Sequence, residues 1–344
     1  MPSHPRRTTL ATVAASAGVS VATVSKVLNG RREVAPDTRT LVQSLLVEHG
    51  YVPRSSHPDR ADGSATVEMW LDDMCAYSTE VVKGTIEAGA ESGVAVVVTG
   101  TKDLAGGGAS WARDLVAAGR RAVITLTNGP TAAQLAALSR VRLPVVVIDP
   151  LNLPDAPVSS VGCTNFAGGL SATQHLLDLG HRRIAYLGGP ATTAVNQARM
   201  QGFRAAMEAA GVPVPPEYVR TGGFCYPHGL QEGAAVLDLD PTPTAVFAAG
   251  DESALGAIQA ARARGLRVPE DLSVVGFDDT ELATMTSPQL TTVRQPLREM
   301  GAVALRTALR LAAGEKIDSR HVELATELVV RGSTRAADLS EAHL

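Results

Sequence analysis

The chain predicts an α/β protein: an N-terminal helix-turn-helix headpiece followed by two doubly wound parallel-sheet lobes. Three observations carry that prediction. Two short apolar-periodic runs meet at Ala17-Gly18-Val19 inside the stretch TLATVAASAGVSVATVSKVLN (9–29). From Thr66 onward, short β-branched runs alternate with helical stretches, and the second half of the chain repeats the strand, loop, helix order of the first. With 344 residues and a prior of about 150 per domain, two or three domains are expected.

In the headpiece, Leu10, Val13, Ala14 and Ala17 share one face of the first run, and Val24, Val27 and Leu28 one face of the second. Gly18 stands where the first helix must stop and the backbone turns to positive φ, and Ser20 offers a hydroxyl to cap the second helix. Val21, Ala22, Ser25, Lys26 and Asn29 lie off the apolar stripe. Small side chains let a backbone approach a nucleic-acid groove, while Lys26 and Asn29 can reach phosphates or base edges, so this second run reads as a recognition helix. Thr9, Ser20, Thr23 and the basic Arg31 and Arg54 complete the candidate DNA-binding set, with Arg60 beyond them. The plainer alternative is a helical hairpin with a solvated face. Ala35-Pro36-Asp37 then opens a third helix with proline at its first position and Leu41, Val42, Leu45 and Leu46 on its buried face, and Gly50 ends it.

VEMWL (67–71), VAVVV (94–98), AVITL (122–126) and PVVVI (144–148) read as strands of a parallel sheet covered on both faces, with helices such as STEVVKGTIEAGAESG and TAAQLAALSR between them. RIAYL (183–187), TAVFAA (244–249) and SVVGF (273–277), with QARMQGFRAAMEAAG and ALGAIQAARARG, form the second set. In such sheets ligands sit beyond the carboxyl ends of the strands. The loops there present Asp72, Asp73, Tyr77, Asn128 and Asp149 in the first lobe, and Arg199, Phe224, Asp251 and Asp278-Asp279 in the second. Carboxylates, an amide, a guanidinium and rings suit a polyhydroxylated ligand, because they accept from or donate to vicinal hydroxyls and pack on a sugar's C–H face. Each residue also has a plainer role: Asp251 and Asp278 as helix caps, Arg199 in a surface ion pair, Phe224 in the core, Tyr77 at the rim, and His181 in LGHRR fixing a turn. The run from Leu297 to Ala313, with Met300, Val303, Ala304 and Ala308 on one side, reads as a dimer face or as a cover for the sheet.

Composition narrows the function classes. Residues 1–62 carry eight Lys/Arg against five Asp/Glu, a net +3 that leaves −7 for the rest of a chain whose total is −4. One small module is thus suited to phosphate and the remainder is not. Cys75, Cys163 and Cys225 are scattered without CxxC spacing or a histidine cluster, so neither disulfide, metal nor cofactor is expected. Gly106-Gly107-Gly108 lacks GxGxxG spacing, and no GxSxG, HExxH or P-loop is present, so catalysis is not expected. No apolar run is long enough to span a membrane, and MPSHPRRTT is not a secretory signal; a cytoplasmic location is expected.

The runs VAASAGVSVATVSKVLNG and VAPDTRTLVQSLLVEHGYVPR, including the AGVS turn, the Thr38-Arg39 pair and GYVP, resemble the headpiece of the lactose-repressor (LacI/GalR) family of bacterial transcription regulators. NFAGGLSATQHLLDLGHRRIAYLGGP, RMQGFRAAM, FAAGDESALGAIQAARARGLRVPEDLSVVGFDD and SPQLTTVRQP are similar to that family's core. The resemblance places ligand contacts at Arg199, Phe224 and Asp278. It also shows departures: Gly250 and Thr164 stand where asparagine and aspartate are common, and RSSHPDRADGS (54–64) has no apolar wedge of the kind with which relatives kink the minor groove. The segment reads either as a disordered linker or as a short helix that starts at Pro58 and offers Arg60 to a narrow groove.

The expected organisation is a headpiece at 1–54, a linker at 55–64, a first lobe of 65–162 with 292–319, a second lobe of 163–291 with 320–334, and a tail at 335–344. Several crossings between lobes make a hinge. The resemblance implies a homodimeric repressor on a pseudo-palindromic operator, released by a sugar or oligosaccharide between the lobes. A co-repressor logic with a purine-like ligand is the alternative. A periplasmic-type sugar-binding protein would share the two lobes without the basic headpiece.

Overall fold

The computed structural model describes residues 10–28, 34–48, 65–101, 109–151 and 158–337. The chain divides into two compact units, Met1–Gly63 and Ser64–Leu344.

In the first unit, helices α1 (Leu10–Ala17), α2 (Val21–Leu28) and α3 (Pro36–Glu48) enclose a small core of Val13, Ala14, Val24, Val27, Val42 and Leu46. The turn forms as its residues require. Gly18 takes φ +65°, a conformation that L side chains resist, and Val19 N–H returns to the Ala14 carbonyl at 3.1 Å. Ser20 Oγ then accepts from Thr23 N–H at 3.1 Å, which satisfies one of the open donors of α2. On α3 the expected buried face is corrected at Leu41, which is 46% exposed. It lies about 100° around the helix from Val42, off the stripe that Val42 and Leu46 bury.

The second unit holds two six-stranded sheets. The first contains, in chain order, β1 (Thr66–Leu71), β2 (Ala95–Gly100), β3 (Arg120–Leu126), β4 (Val145–Ile148), β5 (Ser159–Cys163) and β11 (His321–Leu324), arranged β11-β5-β4-β3-β1-β2 and parallel throughout. The second contains β6 (Ile184–Gly188), β7 (Val219–Thr221), β8 (Ala245–Ala248), β9 (Ser273–Asp278), β10 (Thr291–Arg294) and β12 (Glu327–Val329), arranged β12-β10-β9-β8-β6-β7, with β12 antiparallel to its neighbour. β1, β6 and β8 are buried along their whole length, which is why they read as largely apolar runs.

Helices α4 (Ala76–Glu91), α5 (Ala109–Ala117), α6 (Ala132–Arg140) and α12 (Leu297–Ala312) belong to the first sheet. The second sheet carries α7 (Asn165–Asp178), α8 (Ala194–Ala209), α9 (Tyr226–Leu237), α10 (Asp251–Ala263) and α11 (Glu281–Met285). Aromatic pairs anchor both cores: Trp70 with Trp111 at 5.3 Å, and Tyr186 with Phe203 and Phe247, each at 5.4 Å. Met300, Ala304 and Ala308 are fully buried and Val303 half-buried where α12 packs on α4 and the sheet, so this stripe covers the lobe.

The lobe boundaries differ from those expected. Thr291–Arg294 pairs with β9, so the return to the first lobe begins after Arg294. His321–Leu324 pairs with β5, so these residues belong to the first lobe. HVEL and ELV are two short strands of like pattern with no turn signal between them, and alternation alone cannot assign them to different sheets. Residues 335–337 are not tail: Arg335 N–H donates to Ser273 Oγ at 3.1 Å and Ala337 N–H to the Leu179 carbonyl at 2.8 Å.

Three crossings join the lobes, after Cys163, after Arg294 and after Leu324, and they are bonded to one another. Cys163 Sγ donates to Gln295 Oε1 at 3.0 Å. Thr326 N–H donates to Thr164 Oγ1 at 3.0 Å, and Thr164 N–H to the Leu324 carbonyl at 2.9 Å. Thr164, at the position where aspartate is common in the family it resembles, is thus part of the hinge.

Candidate functional site

Two surfaces concern function, one on each unit. On the headpiece, Ser20, Val21, Ala22 and Lys26 are exposed along α2, with Thr23 and Ser25 half-buried beside them. Val24 and Val27 hold the opposite side in the core. The helix therefore presents small side chains and one cation on its outer face, the composition that a groove-reading helix needs. Thr9, Asn29, Arg31, Arg54 and Arg60 lie outside the described residues.

Between the two lobes lies a cavity of about 320 Å³. It brings together Asp73, Tyr77 and Asp149 from the first lobe and Arg199, Phe224, Asp251 and Asp278 from the second. They come from the carboxyl ends of strands, the loops after them and the first two turns of the helices that follow, as doubly wound sheets dictate. Asn128 is the exception, since its amide donates to Asp72 and it does not line the cavity.

Arg199 is the pivot. It sits on α8, which packs unusually close to α7: a Cβ on Gly169 would fall 2.2 Å from the Arg199 carbonyl oxygen. That approach brings Arg199 Nε to Asn165 Oδ1 at 2.8 Å, while Nη1 donates to the Ala249 carbonyl at 2.7 Å. The guanidinium lies 3.8 Å from the Phe277 ring centre and 5.3 Å from that of Phe224. It is 3% exposed, so it is not a surface ion-pair residue.

Asp278 Oδ1 stands 3.8 Å from Arg199 Nη1 and accepts from Gln295 Nε2 at 2.6 Å. Its backbone φ is +117° and that of Asp279 +54°, a strained pair that turns the chain sharply after β9. The following Asp279 is held by Arg294 and Arg331 at 2.7 and 2.5 Å. Across the cleft, Tyr77 Oη donates to Asp149 Oδ2 at 3.0 Å.

Burial pushes the Asp278 and Asp149 carboxyls up, and the Arg199 charge opposes this in both. Burial, then the Asp149 charge, pushes the Tyr77 phenol well up and keeps it a donor. One guanidinium thus serves two carboxyls in a poorly hydrated cleft, a setting in which ligand hydroxyl groups find acceptors already aimed.

Asp251 plays a different part. Its side chain is fully buried: Oδ2 accepts from Thr280 N–H and Oγ1 at 2.8 and 3.0 Å, and Oδ1 from Thr292 Oγ1 at 2.6 Å. Both oxygens are thus engaged and brace α11 and β10, while the N-cap position of its own helix falls to Gly250. Sequence reasoning missed Cys75, Thr127, Cys225, Glu252 and Thr280, which also line the cavity. All five lie within two residues of a residue that the strand-end rule had singled out.

Residues 9–54 match the family described as bacterial regulatory proteins, lacI family, and residues 173–334 match the periplasmic binding protein-like domain. The HTH-type transcriptional regulator DegA of Bacillus subtilis (strain 168) is 36% identical over 95% of this chain and 98% of its own length. The chain belongs to the LacI family.

This LacI-family chain is a DNA-binding transcription regulator, and the relatives it matches are regulators, not enzymes. The HTH-type transcriptional regulator CelR of Thermobifida fusca is 35% identical over 95% of this chain and 98% of its own length. Among solved structures, a CelR–cellobiose complex is 35% identical with a TM-score of 0.69, covering 95% of this chain and 100% of that one. The lac repressor dimer bound to operator and the anti-inducer ONPF is 28% identical with a TM-score of 0.71, covering 96% and 100%. Among the described residues of this LacI-family regulator, no helix is long and apolar enough to cross a membrane, and no cluster could hold a metal ion.

Proposed function

We infer that this regulator is a cytoplasmic, homodimeric repressor of carbohydrate-utilisation genes, released from a pseudo-palindromic operator by a sugar or oligosaccharide in the cleft between its lobes. The observation that carries this reading is the convergence of Tyr77–Asp149, Arg199, Phe224 and Asp278 on one cavity. Acceptors, a cation and a ring in that arrangement suit an uncharged polyol. The CelR–cellobiose complex, whose chain this one covers in full, supports a disaccharide as the first candidate.

In this reading Ser20, Val21, Ala22, Thr23, Ser25 and Lys26 of α2, with Thr9, Asn29, Arg31, Arg54 and Arg60 outside the described residues, meet the operator. The sugar biases the hinge, and by linkage operator and sugar weaken each other's binding by one factor. A thermal-shift panel of cellobiose, other mono-, di- and oligosaccharides and nucleobases tests the ligand class, since a ligand bound to the native state raises the midpoint by mass action. A shift with a sugar, followed by weaker operator binding in its presence, is the expected result. A shift confined to nucleobases, or operator affinity unchanged by saturating sugar, would overturn it.

A further inference from the structure

Two cysteines line the cleft from opposite lobes. Cys75 is the N-cap residue of α4 and Cys225 that of α9, and both line the 320 Å³ cavity. Neither is in a disulfide; Cys75 is half-buried and Cys225 exposed. Their chain neighbours already pack on one turn. Ala76 N–H, next after Cys75, donates across the cleft to Glu252 Oε1 at 3.4 Å. Two residues before Glu252, a Cβ on Gly250 would stand 3.2 Å from the carbonyl oxygen of Phe224, the residue before Cys225. The α10 N-terminus thus bridges the two cysteine-bearing segments.

The third cysteine is a contrast. Cys163 is 1% exposed, donates to Gln295, and burial pushes its thiol well up, which suppresses the thiolate that reacts.

We propose that Cys75 and Cys225 are a redox pair that closes a reversible disulfide across the cleft and fixes the lobes at one degree of closure. The oxidant is a hydroperoxide. One cysteine sulfur attacks a peroxide oxygen, the O–O bond breaks, and a sulfenic acid and one water result when the peroxide is H₂O₂. The second thiol's sulfur attacks the sulfenic sulfur, the S–O bond breaks, and a second water leaves. The two sulfurs together give up two electrons and the peroxide takes both. A dithiol reductant reverses the bond by two successive exchanges.

A disulfide holds its Cα atoms within about 7 Å of each other, so the bond is compatible with a narrow range of lobe positions. Because both residues line the cavity, it also narrows ligand access. The effect on ligand response rests on the effector reading above; the bond itself does not.

The test uses the full-length protein, reduced and then exposed to hydrogen peroxide, alkylated, digested and mapped by mass spectrometry. The expected product is an intramolecular Cys75–Cys225 peptide that dithiothreitol removes. It is absent in Cys75→Ser and Cys225→Ser and retained in Cys163→Ser. Serine is a favoured N-cap residue, so the two rim variants should fold. Dibromobimane, which fluoresces strongly on bridging two thiols, should respond in the reduced wild type and in neither rim variant. Peroxide products limited to sulfinic and sulfonic acids or to links between molecules, or dibromobimane reacting without a bridge, would overturn the pair. A sugar that raises the melting midpoint of the reduced protein should lose that effect after oxidation and regain it on reduction. If no sugar acts even on the reduced protein, the effector reading fails while the peptide map still decides the bond.

Discussion

Lys83 on the first lobe and Glu281 on the second are joined by an ion pair at 3.1 Å, and Lys83 also holds Glu80 at 2.6 Å. With the Ala76–Glu252 hydrogen bond, this pair spans the cleft directly. Glu281 is 63% exposed, so solvent screens the pair and its contribution is small. In Glu281→Gln the closed arrangement loses that contact. Sugar affinity, measured by calorimetry with the sugar that stabilises best, should fall by up to about fivefold at low salt and hardly at all in high salt. A loss that persists in high salt would place the effect elsewhere.

Arg199→Lys should be far more damaging than its conserved charge implies. An ammonium cannot bond Asn165 and the Ala249 carbonyl in one plane while lying flat on Phe277. It would leave buried acceptors and two buried carboxyls poorly matched. Urea unfolding should show a loss of about 3 kcal/mol or more, with sugar binding abolished. Wild-type stability in this variant would mean that Arg199 is held less rigidly than its partners indicate.

Asp251 should make the protein less stable as pH rises through the weakly acidic range. Its carboxyl, ordinarily near 3.8, is pushed up to about 6 by burial, against the hydrogen bonds from Thr292 and Thr280. The folded state therefore holds the proton more tightly than the unfolded chain. This contribution is full below pH about 4 and is lost as pH rises through 6, a change on the order of 3 kcal/mol at most. Asp251→Asn can still accept from Thr280 N–H and donate to Thr292. It should flatten the slope of unfolding free energy between pH 4 and 6; an unchanged slope would assign it to Asp278 instead.

His181 acts with the opposite sign. Its ring is buried between Thr244 Oγ1 at 2.9 Å, Ser273 Oγ at 3.0 Å and the Arg335 carbonyl at 3.1 Å, and burial lowers its pKa from 6.5. The folded state prefers the neutral ring, so stability is full above 6.5 and declines as pH falls below it. His181→Gln should remove this acid sensitivity and loosen residues 335–337, seen as faster hydrogen exchange at Ala337.

Lys26→Ala should weaken operator binding across operator sequences and lower the salt slope by about one, because a phosphate contact carries little base information. Arg60→Ala should cost less. The opposite order would make 55–64 the principal reader.

Much of the headpiece was legible because its signals are local: Gly18 and Ser20 act on residues within four positions of themselves. The central strands were equally legible, since burial on both faces leaves unbroken apolar runs. The edges were not. SSVGC at β5 is half polar, and HVEL and ELV sit at the outer edges of two sheets, where pairing with β5 for one and with β10 for the other decides the assignment. In the cleft, the strand-end rule located Asp149, Arg199 and Asp278. It could not foresee that Asp251, at the cavity wall, spends its oxygens on Thr280 and Thr292, nor that Asn128 turns to Asp72. Those outcomes depend on side-chain partners that no spacing encodes.

The bonds among the three crossings have a mechanical consequence. Cys163 tied to Gln295 and Thr164 tied to Thr326 make the connecting segments move as one strap, and Gln295 also grips the carboxyl of Asp278. A torque applied to Asp278 in the cleft is therefore felt by the whole strap at once. The carboxyl in the cleft and the joint between the lobes therefore share one side chain, Gln295, so whatever displaces Asp278 acts on the crossings without an intermediary.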